Sequence, residues 1–471
     1  MHGSIAPPPA LVPGPTADLA VFVESVGRGG VPDGVRSVLE DALVDSVGCG
    51  LFGLTTDACR IVQGFAEAQG GPQEASLWGA AGRRVSVANA ALAVGTAIHG
   101  FDFDDHSRAK IHPGAAILPA VFAFAERDDL SGETALRALA AGYEVMNRVS
   151  LATNPNSSRM RGWHLTGTTG TFGAAAASAV ALGLDAWTVA SALGLAGTQS
   201  AGLWAFNADG AMSKRLHPGR AAQAGIVAAQ LAARGFEGPR QILETSDGGF
   251  FVAMSDDPRP AEVARELGRV WRLEGAAFKP YSCCGSNHAA VDAAIALRRE
   301  EGFCADDIDR VLVGISRVVE RQTGFPYRQS TVLNAQMSIR YNVAVALADG
   351  TALIEQFTPH RLGDSSLNAL IARIDVEVDA EMDAVYPALY AGIVTIRLKD
   401  GRSFRRRVDH SKGMPENRMS SGEIDAKFLS LVGAASGDET ARELLPRLRA
   451  AFDSPTLAPL ARSLGRAAIR T

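Results

Sequence analysis

Cysteine is scarce: five among 471 residues (Cys49, Cys59, Cys283, Cys284, Cys304), an odd number with no C-x-x-C pair. That argues against a disulfide frame and for reduced thiols in a cytosol, with the adjacent Cys283 and Cys284 read as packing thiols. Long apolar runs are missing too, since stretches such as "AAAASAVALGL" are too short and Ala-rich to span a bilayer. There is no excess of positive charge. Lys and Arg number 46 against 51 Asp and Glu, a formal net charge of -5, which gives no case for nucleic acid or an anionic membrane. An anionic substrate would need a local positive field inside a cleft. Aromatics are only 6% while Gly reaches 49 residues, a composition that favours closely packed helices. The opening "MHGSIAPPPALVPGPTAD" lacks a basic n-region and an apolar h-region, so residues 1–16 read as a Pro-rich leader and not a signal peptide. The expectation is a soluble, cytoplasmic protein.

What the chain does contain is organised in two textures. From 17 to 267 apolar residues recur at spacings of three and four, as in "DGVRSVLEDALVDSVGCGLFGL", and small residues dominate, which predicts helices. From 268 to 408 β-rich runs appear, "DIDRVLVGISRVV" and "ARIDVEVDAEM", and "GIVTIRLKDGRSFRRRV" alternates on both sides of Asp400-Gly401, a hairpin signal. Two helices, "NHAAVDAAIALRRE" and "NAQMSIRYNVAVALADG", lie between these runs. Residues 409–471 are helical again and are expected to pack back on the first part. The predicted fold is therefore mainly α: a large all-α domain built from both chain ends, with a smaller inserted α/β lid.

Against the scarcity of histidine (nine in all), "GFDFDDHSRAKIHPG" sets His106 and His112 beside Asp102, Asp104 and Asp105. Three readings fit: a solvated acidic turn, a metal site, or an acid–base site. A metal would want partner ligands from other segments, and neither H-E-x-x-H nor C-x-x-C supplies them. A terpene-type cyclase would want a second magnesium motif and aromatic walls, neither of which is evident. Pro113 suits the first position of a helix, which would put His112 at a helix N-terminus. "GWHLTGTTGTFGAAAASA" repeats the device: His164 precedes a Gly/Thr turn, with Thr168 in it, that could cradle a carboxylate, though it is no P-loop. Lys214, in "GAMSKRLHPG", reads as lying in a loop before a helix, and Lys279 opens "KPYSCCGSNH". A Lys in an apolar setting needs an anionic partner, unless it simply points into solvent. Tyr341 shares a helix face with Ser338 and Val345 and reads either as a core phenol or as an acid–base group.

The order of these segments, "HGFDFDDH…HPG…LPA", "GWHLTGTTGTFGAAAASA", "SKRLHPGRAAQAG", "FKPYSCCGSNHAAVDAA" and "NAQMSIRYNVAVALADG", closely resembles the MmgE/PrpD family over nearly the whole chain. That family includes 2-methylcitrate dehydratase, cis-aconitate decarboxylase and iminodisuccinate epimerase. The resemblance implies a homodimer whose active-site residues fall on Asp102, His112, His164, Lys214, Lys279 and Tyr341. Two positions depart from the family pattern: His106 stands where Thr is usual, and Cys284 where decarboxylase-like members carry His.

The implied chemistry is proton transfer alpha to a carboxylate of a small di- or tricarboxylic acid, without metal or organic cofactor. A base must act while fixed positive charge stabilises an enolate-like state in a cleft that excludes water. His112 is the expected proton-transfer residue, since a free imidazole titrates near ~6.5 and can act either way. Asp102 would orient an imidazole, His164 assist, and Tyr341 supply a proton. Lys214 and Lys279 would grip carboxylates, and His106 would shape the pocket or protonate a leaving hydroxyl. A dehydratase-like lyase is the expected outcome. An epimerase of an amino- or imino-dicarboxylate, a decarboxylase, and a member that only binds an anion are the alternatives.

Overall fold

The computed structural model describes residues 10–328 and 331–470; the greater part of the Pro-rich leader lies outside them. Two compact units form. One takes the chain up to Trp204, Ser213–Ala276 and everything from Ser421, so both ends of the sequence build it. The other takes Ala205–Met212 and Ala277–Ser420.

In the first unit the helices that matter are α1 (Asp33–Gly53), α2 (Val87–Ile98), α3 (Pro113–Asp128), α4 (Gly132–Ala152), α5 (Leu165–Ala181) and α6 (Ser213–Ala233). Helices α5 and α6 pack on each other, α5 also on α4, and α6 on α2. Small residues permit the close approach. A Cβ on Gly95 of α2 would stand 2.7 Å from the Cα of Gly219 in α6 and 2.6 Å from the carbonyl of Ala115 in α3, so only glycine lets these three backbones meet. They meet directly beneath the loop that joins α2 to α3.

That loop, residues 99–112, is tied from several sides. Ser107 pairs with Ile111 in an isolated bridge. Ser107 Oγ donates to Asn147 Oδ1 at 2.8 Å, and Ser150 Oγ donates to the Ala109 carbonyl at 2.7 Å, both from α4. The C-terminal helix Ser421–Ser436 adds Lys427, whose buried ammonium donates to Asp45 Oδ1 of α1 at 2.6 Å and to the Phe103 carbonyl at 2.5 Å. Asp102 and Lys110 take φ values of 53° and 59°, a left-handed conformation that costs a non-glycine residue energy and that the surrounding ties hold in place.

The second unit carries a four-stranded sheet. Strand β1 (Ile308–Ile315) runs parallel to β2 (Ile374–Val378), with Val311 opposite Ile374, and antiparallel to β3 (Gly392–Leu398). Strand β4 (Ser403–Val408) completes the order β2-β1-β3-β4. The β3–β4 turn contains Gly401 at φ 91°, as the Asp400-Gly401 signal predicts. The run "SRVV" leaves the sheet: Ser316 Oγ accepts the Val319 N–H and starts a helix, Arg317–Thr323. Helix α7 (His288–Glu301) packs on β3 and β4, and α8 (Ile339–Asp349) on β2. No described helix is long and apolar enough to cross a membrane.

Candidate active site

Two imidazoles stand at helix N-termini in the first unit. His112 is the N-cap residue of α3, with Pro113 at the first helical position. Its backbone N–H donates to Thr166 Oγ1 at 3.2 Å and its Nδ1 lies 2.9 Å from the Asp105 carbonyl oxygen. A carbonyl only accepts, so Nδ1 carries the hydrogen and Nε2 is left to the pocket. His164 caps α5 in the same way; its buried Nδ1 lies 2.8 Å from Nδ1 of His217 on α6. One of those two nitrogens must donate and the other accept.

These rings form a cluster. The His99 and His112 centroids are 4.5 Å apart, His99 and His164 6.2 Å, His164 and His217 5.1 Å, and His106 and His112 6.4 Å. Two buried carboxylates complete it. Asp102 Oδ2 lies 2.9 Å from Lys214 Nζ. Asp104 receives Nδ1–H of His99 at 2.9 and 3.0 Å, and its Oδ2 is 3.4 Å from Nδ1 of His112.

Burial sets the charges. It drives the His99 imidazole down to about 3 although Asp104 pulls the other way, and drives His217 to about 4 with help from Lys214. His164 is pushed well below the usual range by burial, then by His217 and Lys214. Burial alone would raise the Asp104 carboxyl, but His99 and His112 outweigh it and hold the group well below its ordinary value. Asp105 goes the opposite way: burial, Asp104 and Asp45 raise it well above the normal range, and its Oδ1 still accepts the Gly114 N–H of α3 at 2.9 Å. Burial thus favours the neutral form of His99, His164, His217 and Asp105, the imidazoles favour the carboxylate form of Asp104, and Asp102 is paired with Lys214.

The first unit therefore gathers Asp102, His106, His112, His164 and Lys214. Lys214 is not in a loop before its helix but in the first turn of α6; Pro218 lies inside that helix, where it has no N–H to close on the Lys214 carbonyl. The Thr168 hydroxyl bonds its own helix at the Leu165 carbonyl (3.4 Å), and Thr166 is the threonine that touches His112. In the second unit Lys279 is buried, and the Tyr341 hydroxyl donates to the Gln356 carbonyl at 2.5 Å between the rings of Tyr327 and Phe357. Burial raises that phenol above its normal range. His99, Thr166 and His217 were not singled out by the sequence reading, and Asp104 was named only as part of the Asp/His run. Adjacency was the available signal, for His99 opens "HGFDFDD" and His217 stands in "KRLHPG".

His99, Asp102, Asp104 and His112 each place one possible ligand atom within 4.8 Å of the others, a spacing a cation would accept. Their charges are already matched, however: a metal would have to take Asp102 from Lys214 and Asp104 from two imidazoles. The donor set fits acid–base chemistry better than cation binding.

The chain is similar to known proteins over most of its length. The MmgE/PrpD N-terminal domain matches residues 17–262 and the MmgE/PrpD C-terminal domain residues 281–447. A cis-aconitate decarboxylase-like protein of Aspergillus oryzae is 30% identical over 449 residues, covering 90% of this chain and 92% of its own. The cis-aconitate decarboxylase of Homo sapiens is 28% identical over 426 residues (88% and 86%), and that of Aspergillus terreus 28% over 453 residues (92% of each).

Proposed function

The chain belongs to the MmgE/PrpD family, whose relatives named above are enzymes, and on that premise we propose that it is a decarboxylase of a small unsaturated tricarboxylate of the cis-aconitate type. The dehydratase-like outcome expected from the sequence gives way because those relatives carry the name of decarboxylases over nearly their whole length. The single observation that carries the chemistry is the convergence of His112, His164 and Lys214 on one buried, charge-balanced cluster.

In such a substrate one carboxylate sits on the carbon next to a C=C–carboxylate unit. When its C–C bond breaks, CO2 leaves and the electron pair forms a new double bond, pushing the old one into an enolate of the remaining carboxylate. One proton then goes to the carbon alpha to that carboxylate. His112 is suited to deliver it from Nε2, because Nδ1 is engaged by the Asp105 carbonyl. Lys214, oriented by Asp102, supplies positive charge for the developing enolate, and His164 adds a hydrogen-bonding edge. We extend the proposal to Lys279 as a carboxylate-binding residue and to His106 as a group that shapes the pocket, while Tyr341, its hydroxyl hydrogen given to the Gln356 carbonyl, is left with the core-phenol reading. The test is CO2 release by the purified protein from a panel of unsaturated and hydroxylated tricarboxylates. Loss of water without CO2 would return the dehydratase reading.

A further inference from the structure

His99 has no place in the chemistry just described, yet it is fully buried among the reacting groups. Its Nδ1 reaches both oxygens of Asp104, at 3.0 and 2.9 Å, while its Nε2 has no hydrogen-bond partner among the described residues. Packing does not account for such a residue. A Leu or Phe would fill the volume without leaving a buried nitrogen unsatisfied, which costs free energy. Something offsets that cost, and Asp104 is the only polar group His99 is seen to engage.

Asp104 in turn has two imidazole neighbours of different kinds. The hydrogen on His112 Nδ1 goes to the Asp105 carbonyl at 2.9 Å, so Asp104, at 3.4 Å, acts on His112 by charge and not by capturing its hydrogen. A buried carboxylate with only that long contact would bind a proton and lose its charge. The donor that prevents this is His99.

We propose that His99 is a positioning residue for His112: its Nδ1–H holds the Asp104 carboxylate in place as an anion, and that anion stabilises the cationic, proton-donating form of His112. This rests on the reading of His112 as the proton-transfer residue. The other titratable or charged groups around the pair include Asp102, His106, Lys214, Arg215, Asp105, His164 and Cys49; Asp102 is paired with Lys214, and none of them replaces the His99 donor on Asp104. Neighbouring Asp105, raised by burial, does not supply the negative charge in its stead.

The experiment compares His99→Asn, whose amide N–H can stand where Nδ1–H stood, with His99→Leu, which has no donor, and with Asp104→Asn. Each is assayed for kcat and KM on cis-aconitate from pH 5.5 to 8.5, and His112 is titrated by 15N NMR without substrate. His99→Leu and Asp104→Asn are expected to lower kcat about 100-fold at neutral pH with little change in KM. Both should also move the His112 midpoint, and the alkaline limb of kcat, down by about one pH unit. His99→Asn should recover most of the rate and keep the midpoint in place. Equal damage from Asn and Leu, or a His112 midpoint unmoved in Asp104→Asn, overturns the inference. Because the NMR titration needs no turnover, it judges this proposal even if cis-aconitate proves not to be a substrate, an outcome that would count against the functional reading alone. If His99→Leu does not fold, Asp104→Asn and His99→Asn still decide.

Discussion

Nζ of Lys214, in the first turn of α6, lies 2.9 Å from Oδ2 of Asp102, whose left-handed backbone turns the carboxylate toward it, and both side chains are buried. Both charges are buried, so removing one partner takes from the other its counter-charge at 2.9 Å. Lys214→Met is expected to cost ~3–5 kcal/mol of stability and to abolish activity. The double variant Lys214→Met/Asp102→Asn should recover much of the stability but none of the activity. Urea unfolding alongside the assay checks both, and a double variant no more stable than the single one would mean that the charge balance is not what holds this corner together.

His112 is only partly covered, and on its loss the buried Asp104 keeps both contacts with His99 Nδ1. His112→Ala should fold as the parent does and lose ~10²–10⁴ in kcat, the usual scale for a general acid. Circular dichroism and a single-substrate rate measurement suffice. Activity within tenfold of the parent would remove His112 from the reaction.

The neutral imidazoles make stability fall on acidification. His217 titrates at about 4 in the folded protein, against ~6.5 in an unfolded chain. Its contribution is fully present above the unfolded value and is lost as pH falls toward 4, because only the unfolded chain takes up the proton in between. The slope is ~1.4 kcal/mol per pH unit for one such group. His217→Asn should therefore show a shallower loss of unfolding free energy between pH 6 and pH 4.5, by about that slope. Asp105, shifted in the opposite direction, is present in both proteins and cancels from the comparison. Parallel curves would count against a neutral His217.

With Asp102 engaged by Lys214, and Asp104 by His99 and His112, a divalent cation would have to break existing pairs. Dialysis against EDTA is expected to leave the rate unchanged, and added Mg²⁺ or Zn²⁺ to leave it unchanged or lower it. A rate that falls with EDTA and returns with one metal would convert this cluster into a metal site.

Much of this was legible in the residues. Pro113 announced a helix N-terminus and Asp400-Gly401 the hairpin, because each depends on local backbone chemistry, whereas the Gly/Thr stretch after His164, expected as a turn, is already helical from Leu165. Lys214 was misplaced because Pro218 suggested a helix start where the chain tolerates a proline inside the helix. Thr166 reaches the His112 backbone while the Thr168 hydroxyl bonds its own helix, because two positions along a helix rotate a side chain by about 200°, and spacing alone does not fix which faces the loop. His99 and His217 escaped notice for a different reason. His217 acts from α6 against α5, 53 residues from its partner, and His99 meets Asp104, five residues on, only because the loop folds back, and a sequence pattern does not contain those approaches.

The most direct test of the whole account is one incubation: the purified protein with cis-aconitate in D2O, followed by 1H and 13C NMR beside the His112→Ala variant. The account predicts one CO2 released per molecule consumed and a single deuterium on the former alkene CH carbon, alpha to its carboxylate, with both absent in the variant. Deuterium exchange into unchanged substrate without CO2, or product formed equally by His112→Ala, would contradict it.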